Sequence, residues 1–273
     1  MNILQAIILG IIQGLTEFLP ISSSAHLVLV PYLLNWHFPA DLVLPFDTLV
    51  QLGTLVAVIV YFWKDLWTII TAWVKTLLAG KPFSDPDARL GWYLILATIP
   101  AGLLGITIKK LVEAAFQSAL ATALFLFVTA AILLIAERIS KRTRPLTDLN
   151  WKDALIIGVG QAIAIFPGIS RSGATISTGL ARNFERTSAA RFSFLMSIPV
   201  MLAAGLLEGK DLIGMSNLAS YLPLIAIGFI FAAVVGYFSI RWVLAFLTTN
   251  SLKYFAFYCM AFGALVLVVY ALR

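Results

Sequence analysis

The sequence predicts an all-α integral membrane protein with six transmembrane helices and two re-entrant helical pairs in an inverted-topology repeat. Three observations lead there. Of 273 residues, 61% are hydrophobic and 12% charged, and the mean hydropathy is +0.97, whereas a soluble domain is about 45–50% apolar and about 25% charged. Six apolar runs are long enough, or nearly so, to cross roughly 30 Å of hydrocarbon at about 1.5 Å per residue. Two further apolar stretches are each broken near the middle by a polar cassette. Apolar runs lie along the whole length, which excludes a cleaved leader on a soluble body. The chain therefore reads as one membrane domain made of two inverted repeats, about residues 1–136 and 152–273.

Residues 3–34 form the first broken stretch, interrupted at Pro20 and the Ser22-Ser23-Ser24 run. The first span, 46–62, begins beside Asp47, which reads as interfacial, and ends at Trp63 and Trp67, where interfacial aromatics belong. The segment holding Lys64, Lys75, Lys81 and Arg89 reads as a long loop. Spans 92–108 and 119–136 follow, the first entered through Trp92. Arg138, Lys141, Arg142, Arg144 and Lys152 then form a second basic loop. Residues 154–181 are the second broken stretch, interrupted by Pro167, Gly168 and Ser170 to Ser172. Spans 189–207, 221–239 and 252–272 complete the chain. Cys259, in the last, reads as a small core hydrophobe, with no disulfide or metal spacing around it. His37 lies in a loop and has no expected role.

Charge decides how the broken stretches run. With six spans, the loops on one side carry 14 basic residues and those on the other carry 4. The positive-inside rule puts the richer side in the cytoplasm and explains the net charge of +6 without nucleic acid. If 154–181 crossed the membrane, Arg182, Arg186 and Arg191 would lie opposite the 138–152 loop and break the rule. A hairpin that dips in and returns keeps it. The first cassette should then re-enter from the opposite side. Irregular backbone at that depth is tolerated only where it is buried in protein or lines a wet cavity, so the cassettes mark a cavity.

The cassettes share Gly, Gln, Ile and two Ser positions at an offset of 148 residues: Gly10, Gln13, Ile21, Ser22 and Ser24 against Gly158, Gln161, Ile169, Ser170 and Ser172. Their differences carry the chemistry. Glu17 and His26 occur only in the first, Arg171 only in the second. An intramembrane acid or arginine costs about 2.5–3.5 kcal/mol on insertion scales and marks a functional site. Gln13 and Glu17, four apart, share a helix face. Glu17 sits near that helix's C-terminal end, where the backbone dipole disfavours an anion, so it calls for a cation: a metal, Arg171 or protonated His26. The serine run reads as the N-cap of a second half-helix. His26, three residues after Ser23, can serve a serine hydroxyl as base or acid, or attack itself. Ser170-Arg171-Ser172-Gly173 opens another half-helix, whose N–H groups and guanidinium suit a phosphate. Two converging N-termini could hold two linked phosphates. The glycine spacing and lysine of a Walker loop are missing.

These residues closely resemble the undecaprenyl-pyrophosphate phosphatase family, also called the bacitracin-resistance family. Its first motif, [Glu/Gln]-x-x-x-Glu followed by Pro-x-Ser-Ser-x-x-His, is matched by Gln13, Glu17, Pro20, Ser22, Ser23 and His26. Its second, Pro-Gly-x-Ser-Arg-Ser-Gly-x-Thr, is matched by Pro167, Gly168, Ser170, Arg171, Ser172, Gly173 and Thr175. The resemblance implies hydrolysis of undecaprenyl pyrophosphate to the monophosphate, recycling the lipid carrier of cell-wall synthesis. It also implies Mg²⁺ or Ca²⁺ as cofactor and an outward-facing site in the bacterial plasma (inner) membrane. Carried over, Glu17 binds the metal or moves a proton, Arg171 holds the pyrophosphate, and Ser23 or His26 is the nucleophile or its base. Gln13, Ser22, Ser170, Ser172, Gly173 and Thr175 would contact substrate. Many members have a second glutamate where this chain has Gln13, which leaves Glu17 the single acid here.

The expected partners are undecaprenyl pyrophosphate and the lipid bilayer; nucleic acid is not expected, and a homodimer stays open. Two rival readings are a secondary transporter or lipid flippase with a midplane anion site, and a protein that sequesters the lipid without chemistry.

Overall fold

A computed structural model describes residues 1–213 and 218–273, apart from the side chains of residues 40, 41, 44 and 208–213. The described residues are almost wholly helical. The chain opens on α1 (Ile3–Thr16), started by a capping box between Asn2 and Gln5, and α2 (Ser23–Leu33). Then come α3 (Ala40–Tyr61), α4 (Trp63–Leu78), α5 (Pro86–Thr107), α6 (Lys109–Phe116) and α7 (Ala119–Ile139). A loop leads to α8 (Trp151–Ile163) and α9 (Arg171–Ala181), followed by α10 (Arg186–Ile213), α11 (Leu218–Thr249) and α12 (Lys253–Leu272).

All six expected spans are helical. α5, α7, α10 as far as Leu207, α11 and α12 are each long and apolar enough to cross a membrane. The sixth, in α3, reaches that standard only together with α4, from which it is bent by 77°. Here the structure corrects the sequence reading, because residues 63–78 are a helix rather than the start of a long loop. Trp63, Trp67, Ile70, Val74 and Leu77 recur at helical spacing along one exposed stripe. Lys64 and Lys75 drew attention to charge and hid that period.

The two broken stretches form short helices of 14 and 11 residues in the first and 13 and 11 in the second. None alone spans roughly 30 Å of hydrocarbon. α8 and α9 fold back on each other, since Gly160 faces the Thr178 side chain and Ile157 lies by Gly179. α1 and α2 also pack together. Small residues allow the long helices to hold them closely. On α1, Gly10 and Gly14 lie against Gly228 and Ala232 of α11, leaving no space for a Cβ; on α8, Gly158 does the same against Ala97 of α5. α7 packs along α12, where Gly263 meets Phe127 and the Ala123 carbonyl.

Buried ion pairs lock the ends of the second hairpin. Asp153, in the first turn of α8 and fully buried, takes Arg144 Nη2 at 2.7 Å and Arg182 Nε at 2.8 Å. Arg144 also donates to the carbonyls of Arg182 and Asp148, so the loop, α8 and the end of α9 meet at one carboxylate. Glu137 plays a similar part at the end of α7, accepting from Arg142, Arg186 and the Leu252 amide. Burial alone would push the Asp153 carboxyl up, but hydrogen bonds from Arg144 and Arg182 outweigh it and hold the carboxyl below its usual range. Its stabilisation is therefore present above the ordinary carboxylate pKa and is lost as pH falls through the depressed value. Asp153→Asn is expected to destabilise the fold by about 3 kcal/mol, since removing one partner strands the others. A lower thermal midpoint near neutral pH, converging on wild type in acid, is the expected result.

Candidate active site

The reactive residues are supplied by two turns that touch. In the first, Glu17 caps the C-terminus of α1 and Ser22 caps the N-terminus of α2. Ser22 adopts φ +70°, a left-handed conformation unusual for a residue with a side chain. In the second, Gly168 at φ +100° turns the chain and Ser170 caps α9. A side chain at Gly168 would meet both Thr122 and Phe125 of α7. The turns are stitched together by the Gly168 amide donating to Ser22 Oγ at 3.2 Å and by Ser172 Oγ donating to the Leu19 carbonyl at 3.0 Å.

The expected acid and guanidinium meet across this seam. Arg171 Nη2 donates to Glu17 Oε1 at 2.8 Å. The other carboxylate oxygen accepts from Ser23 Oγ at 2.6 Å and from Gln13 Nε2 at 2.8 Å. Glu17 is 6% exposed. Arg171 Nη1 is buried and has no hydrogen-bond partner. A buried, unsatisfied guanidinium N–H is costly unless an acceptor arrives. It lies on the first residue of α9, where the helix adds its own positive potential. The arrangement is built for an anion.

The remaining candidates divide into two groups. Ser22, Ser170, Ser172, Gly173 and Thr175 are buried scaffold. Ser22 Oγ also accepts from the Ala25 amide, Ser170 Oγ from the Gly173 amide, and Thr175 Oγ1 is shared by the Arg171 carbonyl and Ser193 Oγ at 2.6 Å. Their hydroxyls hold the helix starts in place. His26 stands apart from them and does not bond a serine hydroxyl. Its Nδ1 lies 2.7 Å from the Ser22 carbonyl and its Nε2 2.7 Å from the Tyr258 hydroxyl. The Ser23 hydroxyl goes to Glu17 instead. Asp47 is half-buried on α3, His37 is exposed, and Cys259 is buried with its sulfur 3.9 Å from the Pro20 carbonyl.

Four contributors escaped the sequence reading. Thr54 of α3 lies 3.4 Å from Gln13 Nε2. Thr129 of α7 donates to the Gly168 carbonyl and accepts from the Ser170 amide, fixing the second turn. Ser193 supports Thr175, and Tyr258 of α12 reaches His26. Each is a lone hydroxyl in an apolar span with no local pattern to announce it.

Among the described residues no cluster of three or more His, Cys, Asp or Glu could hold a metal. The local donor set is one carboxylate, Glu17, with Gln13 turning an N–H toward it. Both oxygens of that carboxylate already accept from Arg171, Ser23 and Gln13. A divalent ion there would share Glu17 with those donors and take its remaining ligands from substrate phosphate oxygens and water, as Mg²⁺ commonly does.

The chain matches known proteins along nearly its whole length. The model of the family described as bacitracin resistance protein BacA matches residues 6–265. An undecaprenyl-diphosphatase of Moorella thermoacetica is 43% identical over 274 residues, covering 100% of both chains. One from Myxococcus xanthus is 42% identical over 269 residues, 98% of this chain and 89% of the relative. Undecaprenyl-diphosphatase 2 of Streptomyces coelicolor is 41% identical, covering 98% and 95%.

Proposed function

This chain belongs to the bacitracin resistance protein BacA family, and from that premise we propose how its residues act. It is a multi-pass membrane hydrolase, an undecaprenyl-diphosphatase that splits the P–O–P anhydride of undecaprenyl pyrophosphate into the monophosphate and inorganic phosphate. The observation that carries the reading is the Arg171–Glu17 pair, with its unpartnered Arg171 Nη1 on the first residue of α9.

Phosphoryl transfer asks mainly for positioning and charge neutralisation. Arg171 Nη1 takes a phosphate oxygen, while the N–H groups opening α2 and α9 face the diphosphate. Ser22, Ser170, Ser172, Gly173 and Thr175 serve substrate binding by keeping those N–H groups aimed. Ser23 Oγ, already hydrogen-bonded to Glu17, attacks the terminal phosphorus and passes its proton to that carboxylate. The Oγ–P bond forms, the bridging P–O bond breaks, and undecaprenyl phosphate leaves. Water then hydrolyses the phosphoserine. The P–Oγ bond breaks as water adds to phosphorus: His26 Nε2 takes a proton from that water and gives it up to solvent as phosphate departs, and Glu17 returns its proton to Ser23. A divalent cation, Mg²⁺ or Ca²⁺, would be held by Glu17 with Gln13 beside it, and would supply neutralisation of phosphate charge.

The halves, about 1–136 and 152–273, are read as inverted repeats. The loops around Asp153 and Glu137 then face the cytoplasm of a bacterial inner membrane, and the cassettes open outward. Purified protein in detergent is expected to release phosphate from undecaprenyl pyrophosphate with no membrane gradient. Binding without release would favour the flippase or sequestering reading instead.

A further inference from the structure

A backbone carbonyl only accepts, so the 2.7 Å contact to Ser22 fixes the proton of neutral His26 on Nδ1. Nε2 is then the lone-pair nitrogen, and the Tyr258 O–H donates to it at 2.7 Å. The two rings are nearly parallel, 10° apart, with centroids 5.7 Å from each other. Phe262, one turn further along α12, stacks on the imidazole at 4.7 Å and 8°. His26 is 4% exposed, but Tyr258 is 42% exposed. The phenol is thus the member of the pair with room to move.

We propose that Tyr258 is a positioning residue. It holds His26 so that Nε2, and not Nδ1, is the working nitrogen, and it yields that nitrogen when substrate and water enter. The inference rests on the role given to His26 above. Ser22 and Tyr258 grip the ring from opposite edges while Phe262 fixes its plane, so the imidazole has one tautomer and one orientation before substrate arrives. Catalytic geometry prepared in advance avoids the loss that accompanies even a 1 Å misplacement.

Tyr258→Phe removes the hydroxyl and keeps the ring. It is expected to lower kcat about tenfold with KM within about twofold of wild type, an effect on orientation rather than on substrate affinity. ¹⁵N-histidine spectra supply a readout that packing alone does not move. The chain has two histidines, and a His37→Asn background leaves only His26. Wild type should show a protonated Nδ1 and a hydrogen-bonded, unprotonated Nε2. In Tyr258→Phe the Nε2 resonance should move to that of a free pyridine-type nitrogen. Wild-type kcat in folded Tyr258→Phe, alongside an inactive His26→Ala, overturns this inference alone. An active His26→Ala overturns the role of His26 itself. If Tyr258→Phe does not fold, the wild-type spectrum still decides, and a proton on Nε2 with bare Nδ1 refutes the proposal.

Discussion

Arg171→Lys is expected to fold and yet to lose about 10²–10³-fold in kcat/KM for phosphate release, with Arg171→Ala losing about 10³-fold or more, as arginines serving phosphoryl transfer do. The geometry explains why retained charge is not enough. Arg171 uses one end of its fork to hold Glu17 and leaves the other buried and without a protein partner, the end that the proposed mechanism gives to phosphate. A lysine ammonium is a single point and cannot serve both. Release of phosphate from undecaprenyl pyrophosphate by purified variants, with thermal midpoints to confirm folding, is the measurement. Near-normal turnover by either variant would remove Arg171 from the site.

Glu17→Gln is the second large effect, an expected loss of about 10²–10⁴-fold in kcat, the range of a missing general base. The substitution is isosteric, so packing in the α1–α2 turn survives. An amide cannot take the Ser23 proton, and its NH₂ end would confront the donors now bonded to the carboxylate, Arg171, Ser23 and Gln13. Because Glu17 and Arg171 work as a pair, Glu17→Gln combined with Arg171→Ala should lose far less than the two single effects multiplied together. Additive losses would mean that the two groups act separately.

Much of this site was legible because it breaks the rules of its surroundings. Glu17, His26 and Arg171 are expensive in an apolar chain, and Pro20, Pro167 and Gly168 forbid a continuous helix through the cassettes. Those facts required a buried polar junction, and the Arg171–Glu17 bond is that junction. The serines were harder to read. A hydroxyl at a helix N-terminus suits capping and phosphate binding equally well, so sequence could not reveal that Ser22, Ser170 and Ser172 spend their hydroxyls on protein partners. Thr129 and Tyr258 were invisible for the opposite reason. Their partners lie 39 or more residues away in sequence, at Gly168 and His26, and only packing of α7 and α12 brings them in. In the fold, α4 was missed because its lysines sit on a flank of a helix whose exposed apolar stripe, from Trp63 to Leu77, was the stronger signal.

A structure of the protein with a non-hydrolysable methylene diphosphonate lipid bound would decide whether the two cassettes make one diphosphate site. A phosphonate oxygen should lie within hydrogen-bond distance of Arg171 Nη1, with the terminal phosphorus facing Ser23 Oγ and the N-termini of α2 and α9. A diphosphonate bound elsewhere, with Arg171 Nη1 still unpartnered, would contradict it.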